Sequence, residues 1–171
     1  EGTVYNLHQA IGAGLFFPQL LGMQPCALTT ACYRGFYVTY TLLEDQLLLQ
    51  ALTLREKDSN YIPVNGVSPA VTNNRATYHN LAMPVPFSGT LRLVAGIAEG
   101  FKPPVTMNFP TLAGFRTVYD VYIQKGIVTH TRDRSEEIES ARNAYRSDNP
   151  PKDMIGTIEE QFRLGPSPEL K

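Results

Sequence analysis

Cys32, His79, His130 and Asp120 are the residues whose types together could do covalent chemistry. A thiolate activated by an imidazole, with a carboxylate orienting the ring, is a nucleophilic centre. Cys32 with His79 or His130 supplies the first two members. Asp120 lies across the same predicted hairpin as His130 and would be the third. Most small proteins contain these three residue types, so the competing expectation is a buried apolar thiol and a surface-facing His130.

A second constellation is cationic and aromatic. Arg34 and Arg92 sit inside apolar strand-like runs, and Arg116 precedes another. An arginine buried without a partner is expensive, so each must reach solvent, a carboxylate or a carbonyl. Brought together by strand order, the three would form a local patch for an anion or RNA, with Tyr37 and Tyr40 as stacking surfaces. The alternatives are solvated arginines paired to Glu44, Asp45 or Asp120, and a structural ion pair within the core. Arg34, Tyr37, Tyr40, Arg92, Arg116 and His130 are therefore the binding candidates.

Other chemistries find little support. His8, His79 and His130 are dispersed, Cys26 and Cys32 form no Cys-x-x-Cys, and no His-Glu-x-x-His occurs, so no metal site is expected. Gly12 and Gly14 are followed by Phe16, Phe17 and Pro18, which is not a phosphate loop. Glu44-Asp45 reads as a turn, and Glu136, Glu137 and Glu139 as a solvated helical face. No cofactor is implied.

The 171 residues suffice for one ordinary domain with a short appendage. A 43% apolar content can build a core, and a net charge of -1 supplies no field for a general polyanion binder. Two cysteines read as reduced thiols in a cytoplasmic protein rather than a disulfide framework. No apolar run reaches the ~20 residues of a membrane span. The chain opens Glu1-Gly2-Thr3, without Met or a basic leader, and reads as trimmed, with any targeting segment removed. Charge divides it: residues 132–171 hold seven basic and nine acidic side chains, whereas residues 1–131 hold eight and seven. The expected organisation is a β-rich body over 1–131 and a charged helical tail over 132–171, packed on or beside it.

The elements that would position these residues follow from periodicity. Residues 1–28 carry Gly12, Gly14, Pro18, Gly22 and Pro25, which favour short extended segments with Phe16 and Phe17 as core anchors. Phe36, Val38, Tyr40 and Leu42 share one strand face. A turn at Glu44-Asp45 leads to a return strand from Gln46 to Leu54, in which Leu47, Leu49, Ala51 and Thr53 oppose Leu48, Gln50, Leu52 and Leu54. Gly35 marks a bulge or a close backbone approach. Residues 55–86 read mainly as connection, long enough to be a flap or mobile excursion, with room for short strands. Further strands are expected over 87–97, over Val118 to Ile123 and over Ile127 to Thr131. Asp133 or Ser135 starts an amphipathic helix running to about Arg146, and a second spans Lys152 to Leu164. Its apolar stripe suits packing in cis; docking a partner or second copy is the alternative.

The run Thr29-Thr30-Ala31-Cys32-Tyr33-Arg34-Gly35-Phe36, the leucine-rich return strand, and Phe87-Ser88-Gly89-Thr90-Leu91 together resemble a family of small uncharacterised bacterial mainly-β proteins. The resemblance covers residues 28–131 with gaps, and Tyr40 stands where that family tends to have Trp. It implies a shared structural core around Arg34, Gly35 and Phe87-Ser88-Gly89, and transfers no activity.

The expected fold is mainly β: a curved antiparallel sheet or small partly open barrel with one or two C-terminal helices. The expected function is a soluble non-catalytic binding or accessory module. One alternative is a structural or assembly subunit, and another a small enzyme using Cys32, His79 and His130. A protein partner or a homo-oligomer is compatible with the chain; nucleic acid and membrane are not expected.

Overall fold

A computed structural model describes residues 2–100, 111–144 and 154–164. The fold is mainly β; the described residues form nine strands, two short 3-10 helices and two α-helices after the strands. Every strand pair of described register is antiparallel. The strand path has two ends, β1 (Asn6–Ala13) and β4 (Ala70–Thr72), and does not close into a barrel. The chain forms two compact units: residues 1–12, 89–123 and 129–171 make one, and residues 13–88 and 124–128 the other.

In the first unit the order is β1, β7 (Ser88–Ile97), β8 (Phe115–Gln124), β9 (Ile127–Asp133). The alternation along β8 puts Val118 and Asp120 on one face, where Val118 meets the tail helices and Asp120 meets Arg134. There Val94, Leu112, Ala113, Phe115 and Val118 pack with Ile138 of α1 (Ser135–Ala144) and with Ile158 and Phe162 of the α2 segment (Met154–Gln161 and its following turn). Each of those three tail side chains contributes about 1.5–3 kcal/mol of apolar burial, so the tail packs in cis. The Asp133 carboxylate accepts the Ser135 N–H at 2.8 Å, which starts α1 where the capping pattern expects it. The expected second helix begins within residues outside the described set.

In the second unit β3 (Gln46–Leu54) is central. It pairs with β2 (Phe36–Leu43), with β5 (Arg75–Tyr78), with β6 (Met83–Pro84) and, through Gln46, with Ile127. Glu44 and Asp45 both take positive φ, 49° and 62°, which is the twist a two-residue hairpin needs even without Asn-Gly. The bulge falls between Thr39 and Tyr40, opposite Gln50, and not at Gly35. One extra residue on β3 resets its alternation. Leu47, Leu49, Leu52 and Leu54 therefore share one face with Phe36, Val38, Tyr40 and Leu42, which corrects the uninterrupted alternation expected for β3; the β3 leucines and Phe36 are buried, whereas Leu42 at the hairpin end is exposed. Gly35 is instead a close approach: at φ 80° a Cβ there would strike the Cys26 carbonyl. Residues 55–86, expected as connection, place β5 and β6 against β3, with β4 paired on β5. Phe16 is buried, but Phe17 is half exposed and is not a core anchor.

Candidate functional site

The densest set of charged groups is built on the β7–β8 pairing. Arg92 and Asp120 are register partners, so their side chains leave the same face. Arg92 Nε donates to Asp120 Oδ1 at 2.7 Å and Nη2 to Oδ2 at 2.8 Å, and Nη1 donates to the Phe162 carbonyl. Arg134 Nε adds a third bond to Asp120 Oδ2 at 3.1 Å. Glu137 then accepts from Arg134 at 2.6 Å and from Arg132 at 2.8 Å. These two hydrogen bonds, Arg132 first, hold the Glu137 carboxyl below its ordinary range. Arg92 and Asp120 are 2% and 1% exposed. A planar fork on a carboxylate is the geometry that repays such burial.

The same unit is tied by further polar anchors. Arg142 donates at 2.7 Å to the carbonyls of both Ala113 and Phe115, and Glu159 accepts the Leu112 N–H at 2.5 Å. Ser135 Oγ accepts the Val118 N–H at 3.1 Å. His8 stands edge-on to Phe115, with ring centroids 5.9 Å apart. Burial depresses its pKa; Glu159 opposes that shift and Arg92 reinforces it.

Most of the candidates read from the sequence have different surroundings. Arg92 is the core ion pair rather than a member of a ligand patch, because all three of its guanidinium nitrogens are engaged. Asp120 cannot orient His130, since Arg92 and Arg134 occupy both its oxygens. His130 is exposed and stacks on Tyr122 at 5.6 Å. Arg116 is exposed and lies 3.8 Å from Glu99. Cys32 is buried with its thiol 3.5 Å from the Phe36 carbonyl, whereas His79 is exposed. Among the described residues no contact joins Cys32 to an imidazole, and no group of three His, Cys, Asp or Glu could hold a metal.

Arg34 belongs to the second unit, and Arg92 and Arg116 to the first. Arg34 Nε donates to the Phe36 carbonyl at 3.0 Å and its guanidinium lies 5.0 Å from that residue's ring centroid. It pairs with a carbonyl and a ring instead of Glu44, Asp45 or Asp120. Tyr40 is half-buried; burial raises its phenol pKa, opposed by a hydrogen bond to the Phe16 backbone and by Arg34. Tyr37 is about half exposed on the opposite face of β2.

What residue-by-residue reading missed is apolar surface. In the second unit Phe17 is 52% exposed, Leu20 72% and Tyr33 80%. Phe17 packs edge-on to Phe36 at 6.2 Å, so Phe36 carries Phe17 and Arg34 together. A legible signal existed: between Glu1 and Arg34 there is no Asp, Glu, Lys or Arg. Such a stretch cannot cover its exterior with charge. Among the described residues no helix is long and apolar enough to cross a membrane. Searches against protein-family models, curated proteins and solved structures find no match.

Proposed function

We propose that the chain is a non-catalytic binding module that engages a protein partner through the second unit. The observation that carries this reading is the exposed set Phe17, Leu20 and Tyr33, with Tyr37 and Arg34 nearby in sequence, drawn from a segment almost free of charge. A contiguous apolar patch marks an interaction surface, and we take Phe17, Leu20 and Tyr33 as parts of one such patch. An uncharged surface selects an apolar protein face, and a net charge of -1 disfavours nucleic acid. Asp120, the carboxylate of the expected nucleophilic set, is held in a buried ion pair with Arg92, which favours a structural over a catalytic role for it. A cytoplasmic location belongs to the same proposal and is supported by two free thiols, Cys26 and Cys32.

The test is quantitative affinity capture from the source cells. Wild type, the doubly substituted Leu20→Asp/Tyr33→Asp chain and a control Asn60→Asp are compared. A protein retained by wild type and control but lost from the double variant supports the reading. Identical retained sets from all three chains reject it.

A second reading, an assembly subunit, is favoured by β1. This strand ends the strand path, contains no charged residue or proline, and exposes Leu7. Such an unguarded edge invites strand addition. Sedimentation velocity across a concentration series decides it: a single monomeric species at every concentration rejects assembly between copies.

A further inference from the structure

We infer that the β4–β5 hairpin carries a binding site for a small phosphate monoester, independent of the apolar surface proposed above. Six residues, Ala70, Thr72, Asn73, Arg75, Thr77 and His79, line a cleft of about 430 Å³. The register explains why these residues share it. Ala70 pairs with Thr77 and Thr72 with Arg75 across the two strands, so all four leave one face. Ala76 and Tyr78, between them in β5, point the other way and are fully buried. His79 continues the same alternation, and Asn73 forms the turn with φ 50°.

The chemistry of the lining is one-sided. It contains an arginine fork, an imidazole, a carboxamide and two hydroxyls, but no carboxylate. Among the described residues neither Arg75 nor His79 has a hydrogen-bond or ion-pair partner, in contrast to Arg92, Arg134 and Arg142. The Thr77 hydroxyl has only a long contact of 3.5 Å to Thr53. These donors face solvent, and with no carboxylate beside them they are free to serve an acceptor-rich anion. A phosphate monoester offers three terminal oxygens and up to two charges to this donor set, against two oxygens and one charge for a carboxylate. The cleft is open to solvent on one side, so an ester's organic group can project outward while its phosphate meets the hairpin.

The hairpin is also held in place before any ligand arrives. Ser59 donates to the Asn74 side chain at 2.5 Å, Tyr61 donates to the Asn74 carbonyl at 2.8 Å, and Tyr78 donates to the Ile62 carbonyl at 2.7 Å. A pinned tip lowers the ordering cost of binding.

The experiment is an amide chemical-shift titration of the intact chain with glycerol 3-phosphate, at constant ionic strength, beside parallel titrations with inorganic phosphate and acetate. The expected result is a saturable response centred on residues 70–79, weaker with inorganic phosphate and weakest with acetate. Arg75→Gln, at an exposed position, is expected to weaken glycerol 3-phosphate binding about tenfold or more, the loss of one charge-assisted contact. Lys125→Gln is expected to leave it unchanged. Shifts that never saturate, that spread over all exposed basic residues, that are matched by acetate, or that survive Arg75→Gln would each overturn the site.

Discussion

Arg92 and Asp120, 28 residues apart in the chain, stand opposite each other in the β7–β8 register and close a two-armed ion pair in which neither side chain is more than 2% exposed. The pair joins the sheet face to the tail, because the same guanidinium also reaches the Phe162 carbonyl. Removing one partner leaves a buried charge without its counterion. Removing both leaves no fully buried charge, although the Phe162 carbonyl loses its donor and Arg134, still bonded to Glu137, loses one acceptor. Asp120→Asn is expected to lower stability by about 3–5 kcal/mol in chemical denaturation. Arg92→Met combined with Asp120→Leu is expected to cost less than Asp120→Asn alone. An Asp120→Asn chain as stable as wild type would contradict the assignment of this pair as structural.

Arg142 tests whether the tail is part of the fold. Its two bonds satisfy the Ala113 and Phe115 carbonyls from a buried position on α1. Arg142→Met keeps much of the stem packing and leaves two buried acceptors unpaired, so a loss of about 1–3 kcal/mol is expected. Ile138→Ala should cost about 2–5 kcal/mol through the cavity it opens in the cluster with Val118 and Phe162. Limited proteolysis should then cut within residues 135–164 sooner than in wild type. Unchanged stability in both variants would mean that the tail does not pack in cis.

Stability should fall on acidification in two windows. Burial depresses the pKa of His8 below 6.5, so the unfolded chain takes up its proton first and stability declines as pH drops from about that value. The Arg132 and Arg134 hydrogen bonds depress the pKa of Glu137 below 4.5. Its contribution is therefore present above 4.5 and lost as pH falls through the lower folded value. Urea denaturation across pH checks both: His8→Gln should remove the upper decline and Glu137→Gln should shrink the lower, to which Asp133, held below its ordinary range by Ser135 hydrogen bonds, also contributes. Added salt should shrink the Glu137 effect more, because that carboxylate is partly exposed. An upper decline unchanged in His8→Gln would assign it to another group.

Two glycines of similar φ separate backbone strain from collision. Gly35 has φ 80° and lies against the Cys26 backbone, whereas Gly66 has φ 76° with open space beyond it. Gly66→Ala should cost about 1–2 kcal/mol from conformation alone. Gly35→Ala should cost about 3 kcal/mol or more, since the backbone must also move. Equal losses in thermal or urea denaturation would remove the close approach as the reason for glycine at position 35.

Periodicity made the mainly β fold legible, because Phe36, Val38, Tyr40 and Leu42 alternate without interruption and the tail repeats Ile138 and Ala141 at helical spacing. The bulge opposite Gln50 was not legible, since nothing in Leu49-Gln50-Ala51 marks an extra residue. Strand pairing beyond the hairpins was equally hidden. Asp120 meets Arg92 only through a register set by β7, and Arg134 reaches it from after β9. Arg142 left a faint trace: it lies four residues after Ile138, on the buried side of α1. The candidate surface was legible in a different quantity, the absence of charge between Glu1 and Arg34, which inspection of reactive residue types passes over.

The most direct test of the binding proposal replaces Leu20, in one chain, and Asn60, in another, by a photo-crosslinking phenylalanine, and irradiates each in its source cells. Both positions are exposed, but only Leu20 belongs to the apolar set. The expected result is a defined protein adduct from position 20, absent from position 60 and abolished when Tyr33→Asp is added. The same adducts from both positions, or adducts that persist in Tyr33→Asp, would contradict the surface.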